Sequence, residues 1–215
     1  MHIYSDDVTL LENWKDSKIV YRRGRRPKGL SVTRSKPDRS SFQYRNFPQT
    51  IHGRAVLSYD TESVNVQKIL IKILRELNRF QVDTSITLAD REGYLEGKIA
   101  FEVGIANGNH FNYLDSLEER LINEVIEKQG TLPIADFLIV LRYMLKDRDR
   151  HPIRTDSYLL RFIASEYAME MYLFHEKGIR RVNPDELIGM IAKELNRELR
   201  ATYSASVKVE ALRSA

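Results

Sequence analysis

Apolar residues first fall into a sustained rhythm between residues 51 and 79. IHGRAVLSYD is apolar with few breakers and predicts a strand. TESVNVQKILIKILRELNR then sets Val66, Ile69, Leu70, Ile73, Leu74 and Leu77 at helical spacing. Asp60 or Thr61 is placed to cap that helix, because a short side-chain oxygen can accept from first-turn amides. The opposite side carries Asn65, Lys68, Lys72, Arg75 and Arg79, a basic stripe at steps of three and four. Residues 82–89 read as a second strand, followed by a turn around Arg91 to Gly93. Over residues 98–106 the alternation is strict: Ile99, Phe101, Val103 and Ile105 face one way, Lys98, Ala100, Glu102 and Gly104 the other. A strand–helix–strand–strand unit results, one sheet face covered by the helix, and ANGNHFNY follows as a polar loop.

The second half reads as helices. Residues 114–129 place Leu114, Leu117, Leu121, Val125 and either Ile122 or Ile126 on one side, and Gly130 stops them. Residues 131–147 suit a helix through Ile134, Phe137, Leu138, Leu141 and Leu145, although FLIVLRYML also suits a buried strand. In residues 156–177, Leu159, Leu160, Ile163, Ala164, Tyr167, Ala168, Met171 and Tyr172 recur in pairs four apart, a helical pattern ended by Gly178. Asn183 and Pro184 mark a last helix start, with Leu187, Ile188, Ile191, Leu195 and Leu199 as its stripe. The expected class is therefore α+β: a small strand–helix–strand–strand unit, then a mainly helical C-terminal half, preceded by a flexible basic N-terminal arm. The expected divisions are residues 1–50 (arm 22–49), 51–110, 111–203 packed on them, and a frayed tail 204–215. Before the arm, residues 5–17 suit a short helix and residues 18–21 a short edge strand.

The arm changes the functional picture. Three prolines, two glycines and several serines interrupt residues 22–49, a composition with few apolar anchors. Between Arg22 and Arg45 stand nine basic residues against one acid, Asp38, so that this segment is +8 within a chain of net charge +4 and the remainder is −4. Charge this local points to one binding surface for a polyanion. Guanidinium groups pair with phosphate oxygens, and neutralising several phosphates releases counterions. Arg22, Arg23, Arg25 and Arg26 form the core of the candidate nucleic-acid site. Lys28, Arg34 and Lys36 extend it, and Lys68, Lys72 and Arg75 of the helix stripe could flank the same track. Tyr21, Phe42, Tyr44 and Phe47 could stack on unpaired bases, or dock the arm on its own domain.

Composition narrows the rest. An apolar fraction of 42% over 215 residues is enough for a core without staples. The absence of cysteine removes disulfides, thiolate catalysis and cysteine-ligated zinc. No apolar run approaches the roughly 20 residues that span a bilayer, and the start lacks a secretory layout, so a cytoplasmic protein is expected. His2, His52, His110, His151 and His175 share no metal-ligand spacing. No phosphate-cradling or dinucleotide glycine motif and no G-x-S-x-G occurs. QGTLPIADF could join a helix-turn-helix, but its second helix would present Asp136 and apolar residues to DNA.

One arrangement hints at catalysis. Asp83 or Asp90 precedes Glu96-Gly97-Lys98 on adjacent strands, after a helix containing Glu76. Two acids can hold a divalent metal while a lysine stands beside the attacking water. Residues 61–106 are in this respect similar to the PD-(D/E)xK nuclease core, which implies magnesium or manganese at Asp83 or Asp90 and Glu96. The alternative is that Glu96 and Lys98 are turn and strand-edge charges. The leading expectation is a non-enzymatic DNA- or RNA-binding protein that needs no cofactor and whose body serves self-association or partner contacts. The second is a structural or assembly protein, loosely similar to viral matrix or coat-associated proteins, binding anionic membrane or nucleocapsid. A metal-dependent nuclease is the third.

Overall fold

The computed structural model describes residues 3–4, 42–43, 47–78, 80–88, 94–107, 110–145, 152 and 154–211. Its strands are β1 (Ile3–Tyr4), β2 (Gly53–Tyr59), β3 (Gln81–Leu88), β4 (Tyr94–Asn107), β5 (His110–Tyr113), β6 (Ile134–Leu145), β7 (Arg154–Ala164), β8 (Ala168–Lys177) and β9 (Val207–Ala211). Three helices accompany them: α1 (Ser63–Leu77), α2 (Ser116–Gln129) and α3 (Pro184–Tyr203). The strands form one curled antiparallel sheet in the order β1-β3-β4-β6-β7-β8-β2-β9, with β5 folded back on β4.

This corrects the expected fold class. The C-terminal half is not mainly helical: residues 131–147 contain the strand β6, and residues 156–177 form the hairpin β7–β8 instead of one long helix. No helix-turn-helix can follow Gly130, since β6 begins at Ile134. β2 also stands apart from β3 and β4, between β8 and β9, so the expected four-element unit is not a sheet of its own. The reason is burial from both sides. In β6, Ala135, Phe137, Ile139, Leu141 and Tyr143 face the core, yet Asp136, Leu138 and Met144 of the other face are buried as well. A strand buried on both faces loses its period of two, and a continuous apolar run then fits helical spacing equally well.

The helices are specified locally. Asp115 caps α2 by accepting from the Leu117 and Glu118 amides, and Gly130 closes it at φ 75°. Ile122 and Ile126 are its buried residues, while Leu117 lies exposed. Asn183 caps α3 by accepting from the Asp185 amide, with proline in the first turn. α1 buries the expected stripe, but neither Asp60 nor Thr61 caps it. Glu62 stands at the cap without a side-chain bond, and Asp60 instead accepts from the Ser206 amide and hydroxyl, tying down the approach to β9.

All three helices contribute to one core against the sheet. α1 packs between α2 and α3 and against β4, and α3 lies over β2 and β8. Ile99, Phe101 and Val103 of β4 meet Tyr143, Leu141 and Ile139 of β6 in register, each buried. Buried Gln67 is satisfied at both ends of its amide: it donates to the Thr131 and Ser63 hydroxyls and accepts from the Leu132 amide, locking α1 to the start of β6. Asn78 does the same between α1 and β4, donating to the Leu114 carbonyl and accepting from the Val103 amide.

Candidate functional site

The seven arm residues that lead the nucleic-acid reading, Arg22, Arg23, Arg25, Arg26, Lys28, Arg34 and Lys36, lie outside the described residues, as do Tyr21, Tyr44 and Asp90. The end of the arm is described and it docks. Phe42 packs against the core and its carbonyl accepts from the Asp136 amide at 2.8 Å. Phe47 lies 4.1 Å from the Arg161 guanidinium, which stacks over its ring. Both aromatics are thus engaged by the protein itself.

The α1 stripe is engaged as well. Lys68 Nζ stands 2.5 Å from Glu127 of α2, Lys72 Nζ 3.0 Å from Glu198 of α3, and Arg75 Nε 2.5 Å from Glu119 of α2. The stripe faces the two neighbouring helices, which answer each cation with an acid.

Of the candidate nuclease residues, Asp83 sits directly opposite Lys98 in the β3–β4 register, and Glu96 is two residues along β4 on the same side. Three of the four named residues therefore share one outer patch, on which Asp83 and Glu96 are exposed. The adjacency also lets Asp83 and Lys98 offset each other as an ordinary cross-strand charge pair. Among the described residues, no group of three His, Asp or Glu side chains is assembled to hold a metal ion.

The most concentrated polar geometry lies elsewhere and was not anticipated. Asp156, at the start of β7, is fully buried. Its Oδ1 accepts from the amides of Ile179 at 2.6 Å and Arg180 at 3.1 Å; its Oδ2 accepts from the Arg181 amide at 3.0 Å and the Tyr143 hydroxyl at 2.8 Å. Three successive amides curled around one carboxylate form an anion-binding nest. The curl needs Gly178 at φ 113° and Arg180 at φ 54°, and a Cβ on residue 178 would fall 1.9 Å from Asp156 Oδ1. Only glycine fits there.

Around the nest, His175 Nε2 stands 3.6 Å from Asp156 Oδ1, and the Tyr158 hydroxyl donates to the Val182 carbonyl at 2.8 Å. Burial and the nearby Asp156 charge push the Tyr143 and Tyr158 hydroxyls well above the usual phenol range, so both remain protonated donors. Arg181 lays its guanidinium 5.2 Å from the centre of the Tyr143 ring, with its nitrogens inaccessible to water. A fully buried carboxylate already accepting four bonds and two tyrosines fixed as donors describe a latch, not a reactive centre. It joins the turn after β8 to β6 and β7, and nothing in local sequence pattern could reveal it, because its members come from four separate segments.

His52 borders this latch. Its Nδ1 accepts the His175 amide at 2.9 Å, and its ring stacks on Phe174. The neutral ring must therefore carry its hydrogen on Nε2, and an added proton would land on the accepting nitrogen. Burial, then Arg180, then His175 hold its pKa below the ordinary 6.5. A folded state that binds the proton less readily than the unfolded chain is most stable above 6.5 and weakens as pH falls below it. His52→Asn, which keeps an acceptor, should flatten that acid-side slope. Urea midpoints measured from neutral pH into the acid range will show an unchanged slope if His52 is not the group responsible.

Comparison with protein-family models, with curated protein sequences and with solved structures finds no match to this chain. Among the described residues, no helix is long and apolar enough to cross a membrane.

Proposed function

We propose that this protein binds nucleic acid without catalysis, through the arginine-rich segment from Arg22 to Lys36, with the sheet and its helices as the body that carries it. The observation behind the reading is charge segregation: +8 between Arg22 and Arg45 against −4 for everything else. The interhelical pairing of Lys68, Lys72 and Arg75 sharpens it, since each of these cations would have to leave Glu127, Glu198 or Glu119 to meet phosphate. The arm is thus the principal carrier, and the helix stripe serves helix packing.

Fluorescence anisotropy with labelled single-stranded and duplex DNA and RNA tests this across a salt series. Changing Arg22, Arg23, Arg25 and Arg26 together to alanine should weaken binding to every sequence. It should also reduce the slope of log affinity against log salt by about 3 on single strands and nearly 4 on duplex DNA, just under one unit per lost phosphate contact. Changing Lys68 and Lys72 to alanine should leave that slope where it was. An arm variant that binds as tightly as the parent sinks the reading. Cleavage of the probe with magnesium, abolished by Glu96→Ala, would replace it with the nuclease reading. Retention on anionic vesicles without nucleic-acid binding would replace it with the assembly reading.

A further inference from the structure

The last strand of the sheet presents an edge that is complementary to itself. The Tyr59 amide donates to the Tyr167 carbonyl of the β8 side at 3.1 Å, so the backbone groups of Tyr59, and by alternation those of Leu57 and Ala55, turn toward β8. Val56 and Ser58 therefore turn toward β9, where they face Glu210 and Lys208. It follows that Val207, Val209 and Ala211 point their N–H and C=O groups away from β2. Of these, the Val207 amide is taken by Asn196 Oδ1 at 3.0 Å. The Val207 carbonyl, both groups of Val209 and those of Ala211 face outward, and β9 ends the strand order of the described residues.

Exposed edges are usually blunted by proline, by a bulge or by like charges. VKVEA has no proline, pairs with β2 without a register shift, and carries one charge of each sign. Val209 is 46% exposed on it.

The geometry points to a two-fold homodimer in which β9 pairs antiparallel with β9 of a second copy, centred on Val209. That register makes Val209 opposite Val209 the central hydrogen-bonded pair, exchanging both N–H···O=C bonds. Each Ala211 amide then reaches the partner's Val207 carbonyl, while the Val207 amides stay with Asn196. Lys208 of each copy stands opposite Glu210 of the other, so unlike charges meet twice. Any other register loses either the charge match or the central pair. One sheet runs through both copies, and because the contact is the same patch twice it closes at two.

Sedimentation of the full chain over a concentration series tests the pairing. The parent chain should show a monomer–dimer equilibrium. Val209→Pro removes the central donor without touching the β2 ladder and should leave monomer only. Lys208→Glu and Glu210→Lys, each alone, set like charges opposite each other twice and should raise the dimer Kd by about tenfold or more. The double exchange K208E/E210K should restore it. Should Val209→Pro fail to fold, the charge-exchange set decides by itself. A parent chain that stays monomeric overturns the proposal, as does a dimer indifferent to these changes or assembly that grows beyond two.

Discussion

Asp156→Ala should cost the fold about 4 kcal/mol, the sum of several charge-assisted bonds lost from a buried site. Four donors lose their acceptor at once, the Tyr143 hydroxyl and the amides of Ile179, Arg180 and Arg181. The Tyr143 hydroxyl, on a fully buried side chain, gains no water easily. The turn from Gly178 to Arg181 would also lose what holds its left-handed residues in place. Asp156→Asn should cost clearly less. Its carbonyl oxygen can still accept from the Ile179 and Arg180 amides; the new NH2 group faces the Arg181 amide, which loses its acceptor, and the Tyr143 hydroxyl, which can turn to accept from it. Urea denaturation measures both. A loss under about 1 kcal/mol for the alanine variant would place Asp156 among ordinary positions.

Arg161→Ala should cost about 3 kcal/mol, because it takes a bidentate guanidinium from a buried carboxylate. Asp136 is fully buried in β6, and Arg161 of β7 grips it with two bonds of 2.7 Å, from Nε to Oδ1 and from Nη2 to Oδ2. The guanidinium also supports Phe47, so the variant should loosen the docked end of the arm. Replacing both partners, Asp136→Leu with Arg161→Leu, should recover most of the loss. Two isolated charges cost more than their pair returns, whereas two leucines facing each other across the strands cost little. If the double variant is as unstable as the arginine variant alone, the pair is not the source of the effect.

The helices were legible in the chain because their signals are local. Asp115 and Asn183 cap amides two and three residues away, Gly130 stops α2 where it stands in sequence, and the apolar stripe of α1 is buried as its spacing implies. β4 was legible for the same reason: Ile99, Phe101, Val103 and Ile105 are buried, and the residues between them are not fully so. The hairpin β7–β8 was not. Its residues are rich in Leu, Met, Ala and Glu, which favour helix, and Leu159 is buried beside Leu160, which hides the alternation. Non-local packing outweighed local preference there.

The same division runs through the functional residues. Order along the chain alone determined that positive charge gathers ahead of a compact body, since charge is a property of each residue and adds without regard to folding. It also determined the starts of α2 and α3, which are bonds between near neighbours, and the buried stripe of α1. Only the tertiary structure decided that Lys68, Lys72 and Arg75 meet the acids of α2 and α3, that Asp156 fills a nest made by residues 179–181, and that Val209 lies on an open edge. Each of those facts depends on which distant segments become neighbours. That is settled by burying most of both faces of β6 and the inner face of β7 at the centre of the sheet, a gain no short stretch of sequence can register.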